Sequence, residues 1–288
     1  MTRSARSSAA SPVEEAHLVW LPVLGGLQSL SAHYVNHYFA PHTHDTFAIG
    51  VFERGAARVR CEATPVTVGV DDVLAINPGA VHSAGPASAE GWEYRAIYPS
   101  LELVDSVMSE SGHRGPRFFA HPRIADRALA ADVRRLMAEL SRHRTPLAME
   151  TLAIDVIHRL WSHASRDELR PPSSARRTSA GLERARECMD AAPSEAPTLA
   201  QLAAEAHMSR FHFIRAFTER FGLTPYAYFL ERRVERARRL LDRGERPVDV
   251  AMRCGFADQS HMIRHFKRIV GVTPGEYMKG SRLMALRA

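Results

Sequence analysis

Between residues 46 and 98 the apolar residues fall in short alternating or continuous runs, TFAIGVFE, ARVRCE, PVTVGV, DVLAIN and WEYRAIY, bounded by Gly, Pro, Asn or Asp. A period of two broken by turn formers predicts a small, mostly antiparallel β domain. Further on the period becomes helical. Leu129, Val133, Leu136, Met137 and Leu140 share one face, as do Met149, Ala153, Val156, Ile157, Leu160 and Trp161. Two readings of these stripes stand side by side: packing on the β domain, or an interface with a second copy of the chain. Residues 166–180, RDELRPPSSARRTSA, have no apolar period and contain a Pro-Pro pair, which predicts an interdomain linker.

Past the linker the pattern repeats itself. Phe217-x4-Gly222-x2-Pro225-x2-Tyr228 recurs 49 residues later as Phe266-x4-Gly271-x2-Pro274-x2-Tyr277. Upstream, Arg215 corresponds to Arg264, His212 to His261, and Leu202-Ala203 to Val250-Ala251 with one extra residue in the second turn. Each copy reads as a short helix, a turn and a second helix that starts after Ser209 or Asp258, both good N-caps. Gly222 and Gly271 suit helix stops, and Pro225 and Pro274 suit the first turn of the next helix. Residues 225–243 are expected to form one long helix between the copies, holding two helix-turn-helix units at a fixed distance. Successive major grooves on one face of DNA recur about every 34 Å.

In each second helix Phe213 and Phe217, or Met262 and Phe266, take the core face. The opposite face carries Arg210, Phe211, Ile214 and Arg215 in the first copy, and Gln259, Ser260, His261, Ile263 and Arg264 in the second. Arginine suits guanine, glutamine suits adenine, and an apolar side chain suits the thymine methyl group. For any single arginine, solvent or phosphate contact is the alternative.

Charge supports this division. Of 38 Lys and Arg residues 19 lie from residue 181 onward, against only 13 of 32 Asp and Glu. The whole excess of +6 therefore sits in the last third, as a polyanion-binding module would require, although a basic surface also serves solubility. At 288 residues, 45% apolar and 24% charged, the chain suits two water-soluble domains with no membrane span. Cys61, Cys188 and Cys254 lack metal-like or paired spacing, which fits a cytoplasmic protein.

Residues 182–280 resemble the DNA-binding domain of AraC/XylS-type transcriptional regulators, most closely in VAMRCGFADQSHMIRHFKRIVGVTPGEY. The resemblance implies a seven-helix domain whose two recognition helices enter neighbouring major grooves, with RNA polymerase as a partner and activation as the more frequent outcome. It places Arg210, Phe211, Ile214, Arg215, Gln259 to His261, Ile263 and Arg264 near bases. The segments PHTHDTFAIGV and DVLAINPGAVH resemble the cupin-like sensor half of the same regulators.

In that half His42, His44 and His82 form an HxH pair with a distant third imidazole. Three readings stand: a metal site, the lining of a small-molecule pocket, or structural support at the mouth of a barrel. Metal-binding cupins place a Glu four or five residues after HxH, where this chain has Ala48 and Ile49, so no metal and no cofactor is assigned. Arg58, Arg60 and Arg95 face either an anionic ligand or solvent.

The expected α+β architecture is a disordered tail at 1–16, a cupin-like ligand-binding barrel at 17–120, a helical dimerisation or support segment at 121–165, the linker at 166–180, and an all-α double helix-turn-helix domain at 181–282. The expected function is that of a cytoplasmic, homodimeric, non-enzymatic regulator that binds double-stranded DNA and a small-molecule effector. A metal-dependent cupin enzyme with a DNA-binding appendage and a sequence-blind architectural protein are the rivals.

Overall fold

The computed structural model describes residues 14–21, 27–62, 64–112, 115, 117–141, 146–164, 180–191 and 196–285. Most of the expected tail and nearly all of the expected linker, residues 1–13 and 165–179, lie outside them.

Among the described residues the N-terminal half has nine strands: β1 Glu15–Leu21, β2 Leu27–Tyr34, β3 Phe39–His42, β4 Ala48–Cys61, β5 Thr64–Gly69, β6 Val73–Ile76, β7 His82–Pro86, β8 Trp92–Tyr98 and β9 Arg123–Ile124. The five sequence runs between 46 and 98 become β4, which takes in two of them, β5, β6 and β8, and β7 was not among them. The period-two reading began at residue 46 and missed β1, β2 and β3, and β1 begins at Glu15, inside the stretch expected to be a tail. LQSLSAHY does alternate, with Leu30, Ala32 and Tyr34 inward and Ser29, Ser31 and His33 outward, but the run is short, and β2 is held by its neighbours β1 and β8.

All strand pairs are antiparallel. The order β1-β2-β8-β4-β6-β9 makes one sheet, and β3, β7, β4 and β5 make the other. β4 belongs to both. Its first part pairs with β6 and β8, and Ala56–Cys61 pairs with β5 and β7, so one long strand closes the sheets into a barrel. Gly55 sits at the change of sheet with φ +69°, and a Cβ there would stand 2.2 Å from the Gly91 carbonyl oxygen. Only glycine accepts both conditions.

Helix α1 Leu101–Glu110, which the sequence reading did not foresee, starts on the Ser100 N-cap. With α2 Arg127–Ser141 and α3 Pro146–Trp161 it packs on the outer face of the barrel. Leu129, Val133, Leu136, Met137, Ala153, Val156, Ile157, Leu160 and Trp161 share a core with Phe47, Ile49, Val51 and Val73. The packing reading of these stripes is therefore the one realised, and a homodimer contact must use other faces. The side chains of Leu140 and Met149 lie outside the described residues.

Among the described residues seven helices follow: α4 Ala180–Ala191, α5 Leu199–Glu205, α6 Arg210–Phe221, α7 Pro225–Asp242, α8 Pro247–Arg253, α9 Gln259–Val270 and α10 Pro274–Ala285. The first unit, α4 to α6, has its own apolar cluster around Phe213 and Phe217. The second does not. Met262, Phe266, Val272, Tyr277 and Met278 join one continuous cluster with Leu18, Leu30, Tyr34, Trp92 and Tyr94 of the barrel.

Along α10 this fit is close enough that a Cβ on Gly280 would lie 1.9 Å from the Leu18 carbonyl oxygen. Gly280→Ala is expected to lift α10 from β1 at a cost of about 1–3 kcal/mol, read as a lower melting temperature with faster amide exchange in β1.

Candidate nucleic-acid interface and barrel cavity

The second helix of each repeat begins where its cap residue directs. Ser209 Oγ accepts from the His212 amide at 3.3 Å and Asp258 Oδ1 from the His261 amide at 2.6 Å. Both helices end on a left-handed glycine, Gly222 at φ 74° and Gly271 at φ 87°. Thr224 caps α7, with Pro225 in its first turn. Phe213, Phe217, Met262 and Phe266 are fully buried, which fixes the rotation of α6 and α9 about their own axes.

The rotation leaves Arg210, Phe211, Ile214 and Arg215 exposed on α6, with Phe211 at 79%. On α9 Gln259, Ser260 and Arg264 are exposed, and His261 and Ile263 are half-buried. Arg210, Arg215 and Arg264 make no ion pair among the described residues. His261 is partly committed within its own unit, accepting at Nδ1 from the Ala257 amide at 3.3 Å and lying edge-on to Phe256.

The two isoleucines expected to be equivalent are not. Ile214 is exposed, whereas Ile263 lines a groove between α9 and the barrel segment Val35 to Tyr38. The barrel grips that flank of α9. Tyr34 donates its hydroxyl to the Gly271 carbonyl at 2.7 Å, and Lys267 pairs with Glu14 at 3.7 Å. Glu14 in turn accepts from the Val35 and Asn36 amides.

Inside the barrel the sheet register places His42 of β3 opposite His82 of β7, and the turn after β3 brings in His44. Their ring centroids are 4.3 Å (His42–His82), 4.8 Å (His44–His82) and 6.1 Å (His42–His44) apart. Each Nδ1 faces a backbone carbonyl, Ala40 for His42, Thr46 for His44 and Ala80 for His82, at 2.6–2.9 Å. A carbonyl only accepts, so each Nδ1 carries the proton and each Nε2 presents a lone pair.

Burial holds the rings neutral: the His44 pKa is lowered to about 3 and that of His82 to about 4, and His42 is also well below its usual value. His44 Nε2 is buried without a partner among the described residues. No group of three or more His, Cys, Asp or Glu among the described residues is arranged to hold a metal ion. Ala48 and Ile49, where a metal-binding cupin carries its Glu, are apolar wall and core.

The histidines line a cavity of about 100 Å³ with Phe52, Trp92, Tyr94 and Tyr98. Its wall is completed by Arg238 of α7 and by Ile269 and Val270 of α9, which no pattern in the sequence marked out. Arg58 and Arg60 are exposed and Arg95 pairs with Glu53 at 3.3 Å, so none of the three enters the cavity.

Beside the cavity Glu231 of α7 is almost fully buried and its Oε1 accepts from the Thr43 amide at 2.5 Å and the Thr43 hydroxyl at 2.6 Å. Thr43 stands between His42 and His44. The helix that joins the two DNA-binding units thus holds the backbone of the histidine pair directly.

Two family models match the chain, a helix-turn-helix domain over residues 202–280 and an AraC-like ligand binding domain over residues 24–157. The HTH-type transcriptional regulator YbfI of Bacillus subtilis is 32% identical over 227 residues, 78% of this chain and 81% of that protein. The chain belongs to the AraC family of transcriptional regulators. It is a DNA-binding regulator with a ligand-binding domain, in a family of regulators and not of enzymes.

The activator RclR of Escherichia coli is 38% identical over 94 residues, 32% of this chain and 33% of its own. An apo ToxT variant of Vibrio cholerae shares the fold over 93% of this chain and 98% of its own, with a TM-score of 0.51 at 14% identity. As in that structure, a sheet-rich half precedes an all-helical one. No helix among the described residues is long and apolar enough to cross a membrane.

Proposed function

We propose that this AraC-family regulator is a sequence-specific, cytoplasmic transcription activator whose affinity for its operator changes when a small-molecule effector occupies the barrel. The observation that carries the reading is the shared wall of the cavity: Arg238, Ile269 and Val270 belong to the DNA-binding half, so an occupant touches the element that must move. A ligand shifts such an equilibrium only by the difference in its affinity for two arrangements, and an occupant in contact with both halves has that difference built in. Activation is supported by the named activity of RclR, with RNA polymerase as the partner that an activator must meet. Homodimerisation, if it contributes, uses surfaces other than the buried stripes of α2 and α3.

In this reading α6 and α9 enter adjacent major grooves, with Arg210, Phe211, Ile214 and Arg215, then Gln259, Ser260, His261, Ile263 and Arg264, toward the bases. Selection of bound sites from random duplexes by the full-length protein is expected to enrich a motif spanning two adjacent major grooves. Enrichment of no motif, with only steep salt-sensitive binding, would favour the architectural rival.

On the enriched site Arg264→Ala is expected to cost about 1–3 kcal/mol at one base pair and to relax specificity there. Equal weakening on every sequence makes Arg264 a phosphate contact instead. Repeating the titration with effector-containing cell extract tests sensing. Unchanged DNA affinity, oligomeric state and transcription would count against it.

A further inference from the structure

We infer that the barrel cavity binds a small hydroxycarboxylate, its carboxylate held by Arg238 of the DNA-binding half and its hydroxyl by His44 of the barrel. This rests on the reading of the cavity as the effector site, and adds the chemical class of the occupant and the residue through which it reaches the DNA-binding units.

Two residues of the cavity wall carry a buried polar atom that has no partner among the described residues. Arg238 Nε, a donor, and His44 Nε2, an acceptor, are both buried and hydrogen-bond to nothing, although both residues line the same space. A buried unsatisfied donor or acceptor is costly, and such groups concentrate where a ligand or ordered water completes them.

The remaining contacts of Arg238 leave one edge of its guanidinium open. Nη1 pairs with Glu235 at 3.3 Å, Cζ lies 5.7 Å from the centre of the Tyr277 ring with a side-chain hydrogen bond to the same tyrosine, and Nη2 reaches Gln28 Oε1 only at 3.5 Å. The edge formed by Nε and Nη2 matches a carboxylate, which takes two parallel hydrogen bonds there once Gln28 yields. Asp242, further along α7, and Glu235 are the acidic groups that act on Arg238.

The other polar groups of the wall select against a second charge. All three histidines commit Nδ1–H to backbone carbonyls and offer only lone pairs, which repel a carboxylate and accept from a hydroxyl. The cavity volume of about 100 Å³ corresponds to roughly three water molecules at about 30 Å³ each, or an occupant of about six non-hydrogen atoms. An acid of that size that also carries a hydroxyl satisfies both orphaned groups at once and ties α7 to the barrel.

The test uses calorimetric titration of the full-length protein with glycolate and L-lactate, with acetate and propionate as acids lacking the hydroxyl, and with glycolamide and lactamide as neutral counterparts. At least one hydroxy acid is expected to bind saturably, at least tenfold more tightly than its amide and than the acid lacking the hydroxyl. Arg238→Gln should abolish the preference for acid over amide and Arg238→Lys should retain part of it, while His44→Phe should abolish only the hydroxyl preference, each variant being accepted on an unchanged far-ultraviolet spectrum and melting transition.

Equal affinity for acids and amides overturns the inference and leaves a ligand-sensing barrel standing. Absence of saturable binding by all six compounds also overturns it, with water then filling the two orphaned positions. In that case the sensing reading is decided by the operator titration alone.

Discussion

Truncation of Phe217 or Phe266 to alanine is expected to destabilise the helical half by about 3–5 kcal/mol, because each ring is fully buried and the vacated volume cannot be refilled without moving a helix. The two variants should differ in where the loss is felt. Phe217 packs with Phe213, Phe221 and Tyr228 at centroid distances of 4.4–5.7 Å inside the first unit. Phe266 meets Tyr277 at 5.4 Å in the cluster that runs on into the barrel. Hydrogen exchange should therefore speed up in α4 to α6 for Phe217→Ala, and in β1, β2 and α10 as well as α9 for Phe266→Ala. Effects confined to α7 to α10 in the second variant would show that the two halves do not share a core.

The second large effect concerns acidity. His42, His44 and His82 are held neutral by burial, with folded pKa values depressed below the unfolded value of about 6.5. A depressed folded pKa contributes stability that is fully present above the unfolded value and is lost as pH falls below it, since the unfolded chain then binds protons that the folded one refuses. At pH 5.5 each such group costs about 1.4 kcal/mol, so the three together cost about 4 kcal/mol relative to pH 7.5.

The loss continues toward pH 4, where His82 begins to take up its proton in the folded state. Glu231 and Asp242 are raised by burial and act in the opposite sense, over windows that open at the ordinary carboxylate values. Denaturant unfolding at pH 7.5 and 5.5 measures the difference, to which His37, also lowered to about 4 by burial, adds its own share, and His82→Gln should remove about 1.4 kcal/mol of it. A stability that is flat over this range would mean that the rings are solvated.

The two effects share a cause. The wall of the barrel and the core of the second helix-turn-helix unit are one packed body, and the histidines sit at its centre. Acid and the Phe266 cavity therefore strike the same interface, while Phe217 stands apart in its own cluster.

Much of the helical half was legible in the residues. The paired Phe-x4-Gly-x2-Pro-x2-Tyr spacing locates a buried ring, a left-handed stop, a helix start and a second buried ring, all set by backbone geometry within a few turns. The strands β4, β5, β6 and β8 were legible for a similar reason, since alternation records which face is buried. β1, β2 and β3 were not, because their inward apolar positions are few, Ala16 and Leu18 in β1 and Leu30, Ala32 and Tyr34 in β2, while β3 turns His42 inward, and pairing with distant strands stabilises them.

The site shows the same division. His42, His44 and His82 stood out as residue types, and the strand register brought them together. Arg238 is one of five arginines in ERRVERARR, and nothing in that run separates it from its neighbours. The difference between Ile214 and Ile263 was equally hidden, since it arises only where the barrel covers one recognition helix and leaves the other free.

By itself, then, the sequence determined two helix-turn-helix units, their caps and core rings, an exposed basic face on each, and a β half with a histidine cluster. These follow from local periodicity and from residues whose backbone preferences act over a few positions. The tertiary structure alone decided that the second unit seals the barrel, that Arg238 and Glu231 reach the histidine segment, and that the stripes of α2 and α3 are spent within the domain. Such outcomes depend on which apolar surfaces meet across long stretches of chain, and burial energy counts the area removed from water without regard to sequence distance.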